Sequence, residues 1–88
     1  MKTIDVTNRC KKDIARCARR GFKKERFDRI IDMLENDAIL PAACRPHLLS
    51  GNWAGHTECH IRPDWLLIYK VDGDSIILVA TGTHADLF

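Results

Sequence analysis

Polar and apolar positions alternate in "TIDV" at residues 3–6, which predicts a short strand. Thr7 or Asn8 then supplies a helix N-cap. Cys10, Ile14, Cys17 and Ala18 follow at i, i+4, i+7 and i+8, which is one face of a helix, and Gly21 is a natural stop. Phe27, Ile30, Ile31 and Leu34 repeat that spacing and predict a second helix. Pro41 and Pro46 bracket a connector. "HLLSG" reads as a short strand, and Gly51 and Gly55 flank a turn that carries Trp53. In "HTECHI" a strand would put His56, Glu58 and His60 on one face and Thr57, Cys59 and Ile61 on the other. Pro63 interrupts pairing. "WLLIYKV" is almost continuously apolar, as a central strand covered on both sides should be. "DGD" at 72–74 is a hairpin turn, "SIILVAT" a last strand ended by Gly82, and "THADLF" a short tail. The order predicts an α+β fold. An N-terminal strand and a helical hairpin pack on one face of a mainly antiparallel sheet of four to five strands, in a single domain over 1–88.

Composition narrows the class. The chain is 45% hydrophobic and 30% charged over 88 residues, ordinary for a soluble globular domain. It has no apolar run near the ~18 residues of a membrane span and no apolar signal-peptide core, so the expected location is the cytoplasm, with no membrane partner. The four cysteines are then expected as buried reduced thiols and not as a disulfide framework. The net charge of +2 conceals an asymmetry, because residues 1–30 hold eleven Lys or Arg against four Asp or Glu, and residues 31–88 hold three against eight. Arg16, Arg19, Arg20, Lys23 and Lys24 gather around the joint of the two predicted helices. Such a basic face suits a polyanion such as ribosomal RNA, or an acidic protein.

All four histidines, His47, His56, His60 and His84, lie in the second half with Asp64. His60 and Asp64 flank the proline break, and His84 follows the end of the neighbouring strand. If the strands pair through the 72–74 hairpin, His60, Asp64 and His84 meet at one end of the sheet. Imidazoles grouped with a carboxylate suit general acid–base catalysis, and cleavage of an RNA phosphodiester needs that and no metal or other cofactor. Trp65 and Tyr69 read first as core. A competing pattern is Cys44-x2-His47 with His56-x2-Cys59, whose arithmetic suits a small zinc module. Extended geometry at 56–59 would point His56 and Cys59 to opposite faces and weigh against it.

"HLLSGNWAGHTECHIRPDWLLIYKV" and "TGTHADLF" carry a resemblance to the YafQ-type toxins of bacterial toxin–antitoxin systems, in the RelE/ParE superfamily. The resemblance implies a ribosome-dependent endoribonuclease that cuts messenger RNA in the ribosomal A site. It also implies neutralisation by a DinJ- or RelB-like antitoxin. Carried across, the functional set falls on His47, His60, Asp64, His84 and Phe88, with Trp65 beside it as a candidate contact to RNA. His84 fits the general acid, Asp64 or His60 the base, and His47 phosphate or transition-state support. Four positions separate His84 from Phe88, so one helical turn would bring the ring near the imidazole. Ala80 stands where the family pattern has an arginine, which implies an attenuated toxin. A non-catalytic, gyrase-directed inhibitor of the same superfold is the alternative.

Overall fold

The structure is a computed structural model and describes residues 1–88. Strand β1 (Thr3–Val6) leads into helices α1 (Asn8–Arg19) and α2 (Lys24–Glu35). The short strand β2 (His47–Leu48) and strands β3 (Thr57–Arg62), β4 (Trp65–Asp72) and β5 (Ser75–Gly82) follow, and a single turn, α3 (His84–Leu87), closes the chain. The five strands form one sheet in the order β1-β5-β4-β3-β2. All neighbours are antiparallel except β1 and β5, which run parallel. No helix is long and apolar enough to cross a membrane.

Local chemistry accounts for the boundaries. Thr7 is the N-cap of α1, its hydroxyl oxygen accepting from the Cys10 N–H. Gly21 ends the first helix with φ of 84°, a conformation that costs glycine little. The short tail forms one helical turn because Thr83 and Asp86 cap it reciprocally.

The main core lies between the helices and one sheet face. It joins Cys10, Cys17, Phe27, Ile30 and Leu34 to Cys59, Trp65, Leu67, Tyr69, Ile76 and Leu78. All four cysteines are free thiols within the buried interior, and burial pushes the Cys10 and Cys59 thiols up to about 12, so neither is a ready nucleophile. A smaller cluster of Leu66, Ile68, Ala80 and Leu87 covers the opposite face, backed by Leu49 and Trp53.

One irregularity decides what the last strand shows to each side. Ile68 pairs with Ala80 but Tyr69 pairs with Leu78, so Val79 is an extra residue on β5. Its carbonyl accepts the Thr7 hydroxyl proton. Before this bulge Ile76 and Leu78 face the helices. After it the alternation inverts: Ala80 and Gly82 face away, and Thr81 turns inward. Thr81 is fully buried, accepts from the Trp65 indole N–H and donates to the Leu66 carbonyl.

Candidate functional site

The face opposite the helices carries the polar residues. The register sets His47 against Glu58 and His60 against Leu66, and Leu66 against Gly82. Those pairings bring strands β2 to β5 into one row that ends at α3. The β3–β4 hairpin turns tightly, with Arg62 opposite Trp65, and Pro63 and Asp64 form its tip.

Asp64 reaches across to α3. One carboxylate oxygen, Oδ1, accepts both the His84 backbone N–H at 2.9 Å and the His84 imidazole Nδ1–H at 2.6 Å. A carboxylate can only accept, so Nδ1 carries the proton and Nε2 is left free for chemistry. The His84 backbone N–H, and then its imidazole, hold the Asp64 carboxyl below the usual carboxylate range. Asp64 is therefore ionised at neutral pH and poorly suited to take a proton itself. Both side chains remain more than half exposed, so the pair is open to a large substrate.

Three imidazoles line up from this pair. The His84 and His60 ring centroids are 5.8 Å apart, and the His60 and His47 centroids 6.5 Å. Glu58 is buried beneath them, its Oε1 lying 3.6 Å from His47 Nε2 and 3.8 Å from His60 Nε2. The His47 Nδ1–H donates to the Arg45 carbonyl at 2.9 Å, which turns Nε2 toward Glu58. Arg45 presents that carbonyl from a left-handed conformation, φ 43°, rare for a residue with a side chain. His60 is 8% exposed, and its Nδ1 is buried with no partner. Such an orphan is costly in a purely structural residue.

Helix α3 is clamped so that His84 stays in place. Asp86 accepts the Thr83 N–H at 2.9 Å and two Arg20 N–H groups at 2.7 and 3.2 Å. These contacts, Arg20 first, hold its carboxyl far below the usual range. Arg16 adds an ion pair to Asp86, donates to the Thr81 carbonyl and bonds the buried Asp13, which in turn accepts the Thr81 N–H. Arg16 and Arg20, expected on a free basic face, thus spend their guanidinium groups on tying α1 to α3. Lys24 pairs with Asp28 on its own helix. Arg19 and Lys23 remain without ion pairs.

Other expectations fall differently. His47, His60, Asp64 and His84 do come together. Trp65 does not face them: it is 4% exposed on the helix side, packed against Phe22 and Phe27, because a large ring at the start of the central strand fills the core. Phe88 is 61% exposed and sets its ring edge-on to Trp53, not to His84. Arg9 lies over the other ring partner, Trp53, at 5.5 Å. The zinc arithmetic has no geometric counterpart. Cys44 and Cys59 belong to the main core, His47 is on the opposite face, and His56 is turned onto the Trp53 and Ala54 carbonyls.

Sequence reasoning missed Glu58, Asp13 and Asp86 as working groups. Signals for each were present. Alternation puts Glu58 on the His60 face. Asp13 interrupts the apolar stripe Cys10–Ile14–Cys17. Thr83-x-x-Asp86 has the spacing of a capping box.

Residues 2–88 match the family described as bacterial toxin of type II toxin-antitoxin system, YafQ. The mRNA interferase toxin YafQ of Escherichia coli strain K12 is 33% identical over 88 residues, covering 99% of this chain and 96% of that protein. The crystal structure of YafQ from E. coli strain BL21(DE3) superposes with a TM-score of 0.94 at 30% identity, covering 100% of this chain and 99% of the other. The toxin chain of the E. coli DinJ-YafQ toxin-antitoxin complex superposes with a TM-score of 0.90 at 33% identity, covering 99% and 97%.

Proposed function

The chain belongs to the YafQ family of bacterial toxins of type II toxin–antitoxin systems, and from that membership we propose that it is a messenger-RNA interferase, an endoribonuclease that cuts message in the ribosomal A site. It is held in check by an acidic antitoxin, as E. coli YafQ is paired with DinJ. The observation that carries the reading is the Asp64–His84 pair at the end of a row of imidazoles.

The chemistry needs two proton transfers on opposite sides of a phosphodiester. The 2′-OH loses a proton and attacks phosphorus, and the departing 5′-oxygen gains one. His84 supplies the leaving-group proton from Nε2. Asp64 fixes its tautomer and balances the charge of the imidazolium. The His47–His60 pair, with Glu58 between the two rings, takes the opposite proton. Preorganisation of this kind removes the need to reorient groups during reaction. The non-catalytic, gyrase-directed reading leaves the acid–base row without a use.

Ala80 attenuates this centre. It lies on the site face, opposite Ile68, fully buried beneath Leu87. A cation there would stabilise the charge that builds on phosphorus, and losing one such donor costs about 10²–10³ in rate. An arginine at this position could bury its stem in the small cluster and bring its head to the surface. The test is Ala80→Arg. The folded variant should cut messenger RNA on translating ribosomes and arrest growth on induction. A folded Ala80→Arg protein that is harmless and leaves message intact would defeat the proposal.

A further inference from the structure

The basic residues divide into two sets. Arg9, Arg16, Arg20, Lys2 and Lys24 are all engaged in ion pairs. The other nine are exposed and have none, among them Lys23, Arg26, Arg29, Arg45 and Arg62. Those five gather in one region. One cleft of about 400 Å³ is lined by Arg26, Arg45 and Arg62 together with His60. A second, about 430 Å³, is lined by Lys23 and Arg62 together with Asp64. A third, about 360 Å³, is lined by Lys23, Arg26 and Arg29, with Glu25 as its one carboxylate.

Each pair of clefts shares a wall. Arg62 and Pro63 divide the first from the second, Arg26 the first from the third, and Lys23 the second from the third. They form one continuous basic depression around the β3–β4 turn. His60 lines the first cleft and Asp64 the second, and both are members of the acid–base row. Unpaired guanidinium groups placed side by side repel one another, and a protein gains nothing for its own stability by keeping them so. Arg45 is also held in a left-handed backbone conformation at this place.

We infer that this depression is a phosphate track for single-stranded RNA, in which Arg26, Arg45 and Arg62 grip the backbone of the substrate strand as it passes over the β3–β4 turn toward His84. The inference rests on the reading of the site as a ribonuclease in naming RNA as the ligand. It assigns the work of binding to residues other than Arg16, Arg20 and Lys24, which already pair with Asp13, Asp86 and Asp28. Substrate RNA is favoured over other polyanions because two residues of the reactive row, His60 and Asp64, line the track. A strand lying in it passes beside that row.

The test uses the full chain and a short single-stranded RNA with 2′-O-methyl sugars, which binds but cannot be cut. Binding is followed by fluorescence anisotropy over a range of salt. The triple variant Arg26→Ala, Arg45→Ala, Arg62→Ala should bind more weakly. Each phosphate contact in a single strand contributes about 0.7 to the slope of log K against log salt, so the slope should flatten by about 2. The matched triple Lys11→Ala, Lys12→Ala, Lys70→Ala removes the same charge from exposed positions outside the depression and should change the slope far less. Arg26→Lys, Arg45→Lys, Arg62→Lys restores the charge and should recover most of the slope, which excludes misfolding as the cause.

Three results would overturn the inference. Equal losses from both alanine triples would mean a diffuse field. Losses seen on ribosomes carrying no message, with the oligonucleotide unaffected, would make ribosomal RNA the occupant. Losses confined to an acidic antitoxin peptide would make the track a protein interface. Since the probe is uncleavable, these outcomes are independent of whether His84 is catalytic. A His84→Gln variant that still cut RNA would remove the catalytic reading and leave the binding result to stand by itself.

Discussion

Gly82→Ala is a one-methyl test of how α3 holds the site. A Cβ at position 82 would lie 2.8 Å from Asp86 Oδ2, 2.9 Å from Asp86 Cβ and 2.9 Å from Arg16 Nη2. Carbon atoms do not approach so closely, so something has to move. Asp86 cannot swing aside cheaply, because its carboxylate is bonded to the Thr83 N–H and to Arg20 on both oxygens. The movement must then pass into α3 itself. Losing the reciprocal cap costs about 1 kcal/mol, and in a chain of this size that lowers Tm by roughly 4–8 °C. Weakening of the Arg20–Asp86 pair adds to this. The larger effect is on chemistry. His84 is the first residue of α3, and its contact with Asp64 is made at 2.6 Å. A shift of ~1 Å in a reacting group can cost about 10² in rate. Cleavage measured in the Ala80→Arg background should thus fall about a hundredfold, while the melting curve stays cooperative. An unchanged melting temperature with an unchanged rate would refute the claim that Asp86 positions His84.

Glu58→Gln keeps the shape beneath the imidazoles and removes the charge. It should lower cleavage about tenfold to a hundredfold with melting temperature unchanged or raised, since a buried charge is removed; a parallel loss of both would make Glu58 structural. Asp64 and Asp86 both have carboxyls held below the ordinary value of about 3.9. Depressed folded pKa values stabilise the native state above that ordinary value, and the stabilisation is lost as pH falls through the folded ones. The α3 turn, followed by the His84 and Asp86 amide signals, should therefore stay docked at pH 4 and release only in stronger acid; release above pH 4 would contradict the bonding described. Deleting Phe88 should barely change Tm, because the ring is mostly exposed. In the Ala80→Arg background it should lower cleavage per folded molecule; a lower Tm at constant rate would make Phe88 a plug for Trp53 alone.

Most of the architecture follows from periodicity. The 3.6-residue stripes at Cys10–Cys17 and Phe27–Leu34 and the alternation at 57–62 lead directly to the helices, the strands and the shared face of Glu58 and His60. The closeness of His60, Asp64 and His84 follows from the hairpin register. What periodicity hides is any place where the count slips. The extra residue at Val79 inverts β5, so Thr81, and not Ala80, joins the Trp65 side of the sheet, and no local signature marks it. The parallel pairing of β1 with β5 joins segments more than seventy residues apart and leaves no mark in either. Charge pairing is hidden for a related reason. Arg16, Arg20 and Lys24 look like part of a basic face in one dimension, yet Asp86 lies 66 residues from Arg20 and neutralises it only in the fold. Conversely, Arg26, Arg45 and Arg62 are spread along the chain and become one track only through the β3–β4 turn.

In the proposed reaction His84 delivers a proton to the 5′-oxygen of a cut message on the ribosome. End mapping of messenger RNA from translating ribosomes, treated with Ala80→Arg protein and with the same protein carrying His84→Gln, tests it most directly. Discrete cuts within the A-site codon, leaving 5′-hydroxyl and cyclic or 3′-phosphate ends, are expected with the Ala80→Arg protein and should disappear with His84→Gln. Equal cutting by both proteins, or 5′-phosphate ends, would contradict it.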